Sequence, residues 1–546
     1  MFAYLAFTID AAAQDTQGFF LNDWQAKKAV IPPFKKMEPA SQKADVSIMV
    51  DAKNTHVKIS RYLYGNNTNP YMTQIVTEPK LMKQLQQLSP NILRFPGGNI
   101  SNVYFWDAAP FHKPMDVPDT ILYGDKRKPK REKFWYGKDE NPNSLTVENY
   151  YKLLQQTNST GTICVNAGYA RYGTGKDPIA TAAHYAANWV RYDKGRTKFW
   201  EVGNEDYGNW QAGYRIDTAK NKDGQPTITN GKMYGKIYKA FHDSMHAAAR
   251  EIGAAIHVGA TIIETGKHNA WESDVTKNWN SSFFSAAKNA ADFFVIHSYF
   301  TPYQQDSKPD EILNLATLVS NNMMQSMQEM AQQNGVELKP IALTEWNIFA
   351  EGSKQQISYI NGMHAAIVLG ELAKLKYGMA CRWDLANGYG KGNDHGMFNK
   401  GDEPNMPKWS ARPVFYYMYY FQKFFGDHLA SASSSDSNVL IYASTFSDGK
   451  IGLVVINKDS TTKTIEVNLS STKQKGNLYC YTLTGGNDGG LFSGKVLING
   501  IGPTLPAGGP DNFENIPAWQ YDVTNGKVKV AMAAKAVDYM LIDEHK

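Results

Sequence analysis

Two glutamates stand out by the company they keep. Glu205 follows the apolar run 197–202 across Gly203 and Asn204, and the aromatic residues Tyr207 and Trp210 come directly after it. Glu345 ends the run Ile341-Ala-Leu-Thr344 and is followed by Trp346 and Asn347. A carboxyl group at the carboxyl end of a buried strand, walled by aromatic rings, has its pKa pushed up toward that of a general acid. One such residue is most often a solvated loop glutamate. Two built on the same plan match the chemistry of glycoside hydrolysis, which needs one proton donor and one base or nucleophile flanking a sugar.

The elements that must position this pair follow from the apolar rhythm. Strand-like runs at 62–65, 91–95, 162–166, 197–202, 256–260, 293–296, 341–345 and 379–383 alternate with helical sequence, at 72–88, 179–192, 233–252, 282–290, 311–333 and 356–376 among others. Eight such units predict an α/β fold, a (β/α)8 barrel of the TIM type, whose active site lies at the carboxyl ends of its strands. The polar and aromatic residues fall there: Arg94 and, past the Pro96-Gly-Gly turn, Asn99; Asn166; Asn204 and Glu205, with Trp210 beyond; His297 and Tyr299; Glu345 and Trp346; and Trp383. Taken singly, Arg94 reads equally as a buried ion-pair partner, His297 as a core histidine and Trp383 as packing. Their shared placement favours a substrate-binding rim.

Past residue 425 the pattern changes to short alternating runs bounded by Gly, Asn, Asp and Ser, as in an all-β sandwich. The runs at 46–50 and 55–59 have the same character and are expected to join it. The expected organisation is a secretory signal over 1–14, an N-terminal segment over 15–59, the catalytic barrel over 60–425 and a C-terminal β-sandwich over 426–546. The apolar stretch 1–14 ends in small residues but has no basic start, and it points to a secreted or periplasmic protein.

Composition narrows the function classes. The net charge of +5 over 546 residues does not call for nucleic acid, and no run after the first 14 residues approaches membrane-spanning length. The basic stretch 125–133 is expected to be a solvated loop, or else a rim that attracts an anionic polysaccharide. Cys164, Cys381 and Cys480 lack metal-ligand spacing and read as buried thiols. No metal and no cofactor are expected; the expected partner is a polysaccharide or oligosaccharide substrate. Twelve Trp and 31 Tyr supply rings on which sugars stack.

The motifs Arg94-Phe-Pro-Gly-Gly-Asn99, Asn166-Ala-Gly168, Trp200-Glu-Val-Gly-Asn-Glu205, His297-Ser-Tyr299 and Thr344-Glu-Trp-Asn347 together resemble glycoside hydrolase family 51. Its members are retaining clan A glycosidases, chiefly α-L-arabinofuranosidases with some endo-β-glucanases. The resemblance implies Glu205 as acid/base and Glu345 as nucleophile. It also implies Asn204 on the sugar 2-hydroxyl, Tyr299 and Arg94 orienting the nucleophile, and Trp383 flooring the subsite. With Arg94 beside it, Glu345 is expected to stay ionised at a pH where Glu205 is still protonated. One position departs: the family's arabinofuranosidases carry a sugar-binding Glu just after the first strand, where this chain reads Gly65-Asn-Asn-Thr-Asn-Pro70. Arabinofuranosidase and endo-acting β-glycanase therefore both stand as readings, with a non-catalytic carbohydrate-binding protein behind them.

Overall fold

Eight parallel strands close into a barrel in chain order: β1 (Gly65–Asn67), β2 (Ile92–Phe95), β3 (Thr160–Val165), β4 (Phe199–Val202), β5 (His257–Thr261), β6 (Phe293–Tyr299), β7 (Ile341–Asn347) and β8 (Met379–Arg382). The chain is seen here in a computed structural model that describes residues 16–544 except 56, 125, 267–271, 391–393, 471–474 and 489. The signal-like stretch 1–14 lies outside the described residues. Among those described, no helix is long and apolar enough to cross a membrane.

Strand side chains alternate between the barrel interior and the surrounding helices. At the amino-terminal end the interior is apolar: Ile92, Phe199, Phe293, Ala342 and Met379 pack in one buried cluster. Further along the strands it turns polar, with Asn67, Arg94, Thr162, Glu201 and Thr344 buried and joined by hydrogen bonds. This polar layer is the platform on which the rim residues stand.

Two boundaries differ from expectation for local reasons. Ser60 caps a 3-10 turn at Arg61–Leu63 by accepting from Tyr62 N–H, so β1 starts at Gly65 and consists of Gly-Asn-Asn, with no apolar signature to betray it. The helix expected from residue 72 runs only over Pro79–Leu88, because Pro79 is pre-set for a first helical turn. The basic stretch is not a loop: Lys126–Arg131 pairs antiparallel with Thr120–Tyr123, and Lys128, Lys130 and Arg131 are exposed.

The segment before the barrel supplies its floor. A 3-10 turn at Gly18–Leu21 pushes Phe20 into the apolar end of the barrel, with its ring 4.9 Å from Phe199 and 5.5 Å from Phe293. Thr16 fixes the turn by accepting from Ile341 N–H and donating to Lys376 O.

The C-terminal strands form a β module into which earlier segments are woven. Val46–Asp51 lies between His428–Ser434 and Lys463–Leu469, and Phe34–Lys36 pairs with Ala518–Val523. Ile451–Asn457 and most of Ala536–Glu544 are buried on both faces. Leu453, Val455 and Met540 face the interior of the module, whereas Val454, Ile456 and Tyr539 join the barrel's own core. The barrel side of that contact includes the helix Tyr359–Lys374. Gly370 is required there, because a Cβ would come 2.4 Å from the Tyr442 ring.

Candidate active site

Arg94 is the hub. It is fully buried, and its guanidinium donates to Glu201 Oε2 (2.8 Å), Glu345 Oε1 (2.8 Å), Asn67 Oδ1 (3.0 Å) and Asn204 Oδ1 (2.9 Å). A planar fork with five donors can reach four acceptors in a way that an ammonium cannot. Asn67 fixes the fork in turn, donating to the carbonyls of Thr344, Cys381 and Arg382 and so tying β1 to β7 and β8.

Glu345 sits at the carboxyl end of β7 with three donors. Oε1 accepts from Arg94 and from Gly98 N–H (3.2 Å), and Oε2 accepts from the Tyr299 hydroxyl (3.2 Å). Gly98 presents its N–H because the turn after β2 takes φ +64° there. A Cβ would also strike the Trp383 ring at 2.5 Å. The half-buried Trp383 thus lies directly against the turn that holds Glu345.

Glu205 follows β4 with φ +46°, a left-handed backbone that a non-glycine residue adopts at a cost of about 1 kcal/mol or more. Its Oε2 accepts from Trp210 Nε1–H (3.0 Å), and its Oε1 lies 3.0 Å from His297 Nδ1. His297 Nε2 stands 3.1 Å from Thr344 Oγ1, while Nδ1 is also 3.8 Å from Glu345 Oε2. Oxygens of the two carboxylates and the imidazole nitrogen all lie within 4.8 Å of one another. That spacing matches retaining glycosidases, whose carboxyl groups are about 5 Å apart, against roughly 6.5–9.5 Å where a water must fit between them.

Electrostatics treat the two carboxyls differently. Burial opposes charge on His297, but Glu345 and Glu205 outweigh it and hold the imidazolium above its ordinary pKa. Burial alone would raise Glu205 as well; the hydrogen bond and charge of His297 win and keep it below the usual carboxyl range. Glu345 is pushed up by burial and by the charge of Glu205, in spite of His297 and Arg94. Their surroundings thus push the two carboxyls in opposite directions, Glu205 down and Glu345 up. The reason is geometric: Arg94 divides its charge between Glu201 and Glu345, whereas His297 hydrogen bonds only to Glu205 of the pair. The transferable proton resides on the His297–Glu205 couple.

Other rim residues take different places. Asn204 is buried; Arg94 occupies its oxygen, and its Nδ2 has no protein partner among the described residues, leaving a donor for a ligand hydroxyl. Asn99 is exposed and accepts from Gln211 Nε2 (2.7 Å), and Trp210 is 51% exposed beside Glu205. Two expected contacts are corrected. Trp346, just past a bulge in β7, is packed into the core and only 1% exposed, with no ring face for a sugar. Asn166 is spent on structure: its amide donates to Tyr104 O and lies 3.0 Å from the Tyr172 hydroxyl, and its oxygen accepts from Tyr169 N–H.

Sequence reasoning passed over Glu201, Asn67, Thr344 and Gly98. For Glu201 a signal existed, since an acid inside the run Phe199-Trp-Glu-Val202 can be buried only against a cation. Asp384 was also missed. It follows Trp383, accepts from the Tyr71 hydroxyl (2.6 Å), and is pushed by burial up to about 6.

The structure is a closed parallel (β/α)8 barrel with two glutamates at the ends of its fourth and seventh strands. Known proteins agree. The alpha-L-arabinofuranosidase 1 domain matches residues 84–314. The probable α-L-arabinofuranosidase C of Aspergillus terreus is 23% identical over 326 residues, 54% of this chain and 56% of that protein. The chain thus spans about half the length of the curated relatives it matches. Among solved structures, the α-L-arabinofuranosidase of Thermotoga maritima in complex with arabinose shares the fold with a TM-score of 0.63, at 17% identity over 92% of this chain and 100% of that one. The family 51 arabinofuranosidase of Xanthomonas axonopodis pv. citri aligns with a TM-score of 0.64 at 14% identity, over 92% and 100%. Together these findings support a glycoside hydrolase like those of family 51.

Proposed function

We propose that the protein is a retaining glycosidase that removes arabinofuranosyl units from plant or algal polysaccharide, with Glu345 as nucleophile and Glu205 as acid and base. The observation that carries this reading is the approach of the two carboxylates to within 4.8 Å beside one imidazole.

Glu345 Oε1 is tied by Arg94 and Gly98, so Oε2, held by Tyr299 alone, is the oxygen that bonds to the anomeric carbon. The glycosidic oxygen leaves with a proton that His297 passes through Glu205, so that Glu205 ends the step as carboxylate and His297 as neutral imidazole. Water then attacks the glycosyl ester, Glu205 takes its proton, and Glu345 departs as carboxylate. Asn204 Nδ2 offers a hydrogen bond to a ring hydroxyl, and Trp383 offers a flat apolar face beside Gly98. All of this chemistry can be done by the chain's own groups.

The rim supports a second reading, endo-action on a β-linked glycan. Trp210 is 51% exposed and Tyr303 is 64% exposed. Tyr303 packs on Phe349 (4.9 Å), which stacks on Tyr299 (4.2 Å), so an aromatic row leads outward from Glu345. Such a row suits a substrate longer than one sugar. Product analysis on arabinan, arabinoxylan and β-glucans, beside Glu345→Ala, separates the readings. Free arabinose, absent from the variant, supports the first; oligosaccharides from a β-glucan support the second. No product from any of them, with polysaccharide binding intact, would leave only a binding protein.

A further inference from the structure

We propose that His242, His246 and Asp292 form a Zn2+ site at the amino-terminal end of the barrel, remote from the carboxylate pair. The two histidines lie one turn apart on the helix Gly231–Glu251 with ring centroids 4.3 Å apart, so their side chains share one face. Asp292 directly precedes β6, whose far end carries His297, about 16 Å away along an extended strand.

The spacing suits a metal. His246 Nε2 lies 2.9 Å from Asp292 Oδ2, and His242 Nε2 lies 3.5 Å from Asp292 Oδ1. One ligand atom from each residue falls within 4.8 Å of the other two. Tetrahedral zinc with bonds of about 2.0–2.1 Å separates its ligands by about 3.3 Å, close to the 2.9 and 3.5 Å between the two imidazoles and the carboxylate. Two imidazole nitrogens and a carboxylate oxygen form a donor set that zinc favours over magnesium or calcium.

The outer contacts point the same way. Asp243 Oδ1 lies 3.2 Å from His242 Nδ1, so a proton held there frees Nε2 to ligate an ion when the ring is neutral. A carboxylate behind a histidine is the usual support of a ligating imidazole. Val258 N–H donates to Asp292 Oδ2 (2.8 Å) and orients the carboxylate. The side chains are 20–25% exposed, which lets an ion enter and a water complete its shell.

The Glu205–His297–Glu345 group has comparable spacing, but its carboxylates are already engaged by Arg94, Gly98, Tyr299 and Trp210. Zinc at Asp292 would clamp the helix to the starts of β5 and β6, so its effect falls on stability.

The test is calorimetric titration of the chelator-stripped full chain with Zn2+, together with thermal melts. The expected result is one equivalent bound and a Tm raised by several degrees, with at most a weak response to Mg2+. His242→Gln and His246→Gln should each weaken binding at least tenfold, and the double variant should lose both the stoichiometry and the melting shift while its zinc-free Tm stays near that of the parent. Absence of saturable binding by the parent, or a zinc-dependent shift that survives in the double variant, overturns the proposal.

Discussion

His297 Nδ1 lies 3.0 Å from Glu205 Oε1, and it is this contact that keeps the carboxyl of Glu205 below its ordinary pKa while the imidazolium stays above its own. The pair holds a proton to a higher pH than a lone buried carboxyl would. In His297→Asn the proton must sit on Glu205 alone, so the basic limb of the kcat/KM profile should move to lower pH and kcat should fall by about 10–100-fold. A basic limb that stays in place would show that the imidazole only packs against Glu205.

Arg94→Lys should be far from conservative. One ammonium cannot satisfy Glu201, Glu345, Asn67 and Asn204 together, and a buried Glu201 left without its partner costs about 3–5 kcal/mol. The variant should lose at least 100-fold in kcat/KM, on the scale of about 2.7 kcal/mol, and should melt well below the parent. Adding Glu201→Gln should recover part of the stability and none of the activity, which a double-mutant cycle would read.

Asp538 gives a pH dependence outside the site. It is buried in the β module, accepts from Thr482 Oγ1 (2.6 Å), and desolvation pushes it up to about 7. A carboxyl raised on folding stabilises most below its unfolded pKa, and its contribution is lost as pH climbs toward the folded value. From 3.8 to about 7, at about 1.4 kcal/mol per pH unit, the loss is about 4 kcal/mol. Asp538→Asn should therefore flatten the fall in stability between about pH 4 and 7 and melt higher than the parent at pH 8. Parallel curves for the two proteins would contradict this.

Trp210→Ala and Tyr303→Ala test the reach of the cleft. If sugars beyond the reacting unit rest on the aromatic row, Tyr303→Ala should raise KM for long oligosaccharides about 5–10-fold and leave a small aryl glycoside unaffected. Trp210→Ala also removes a donor to Glu205, so it should shift the pH profile as well.

Both carboxylates and the strand ends that carry them could be read in the sequence because a barrel puts its chemistry where apolar runs stop. What escaped was the polar layer inside. β1 is Gly-Asn-Asn, with no hydrophobic period, and Asn67 acts through three carbonyls that are distant in the chain. Trp346 is next to Glu345 in sequence but buried in the core, because adjacency along a bulged strand does not give a side chain access to the cleft. The charge order of the pair depends on how one guanidinium is divided among partners from β1, β4 and β7, which no local pattern encodes. His428–Ser434, rich in Ser and Ala, hid a central strand of the β module in the same way.

Val46–Asp51 leaves the ribosome early yet has no partner until His428–Ser434 and Lys463–Leu469 exist, and Phe20 can seal the barrel only once β7 and β8 are in place. Segments near the start of the chain must wait for nearly the last, so long-range pairing comes late and folding is slow. The barrel is bound at both ends into a loop of its own chain, and neither half is an excisable unit. Cutting between residues 59 and 60 would remove the stopper of one half and an inner strand of the other.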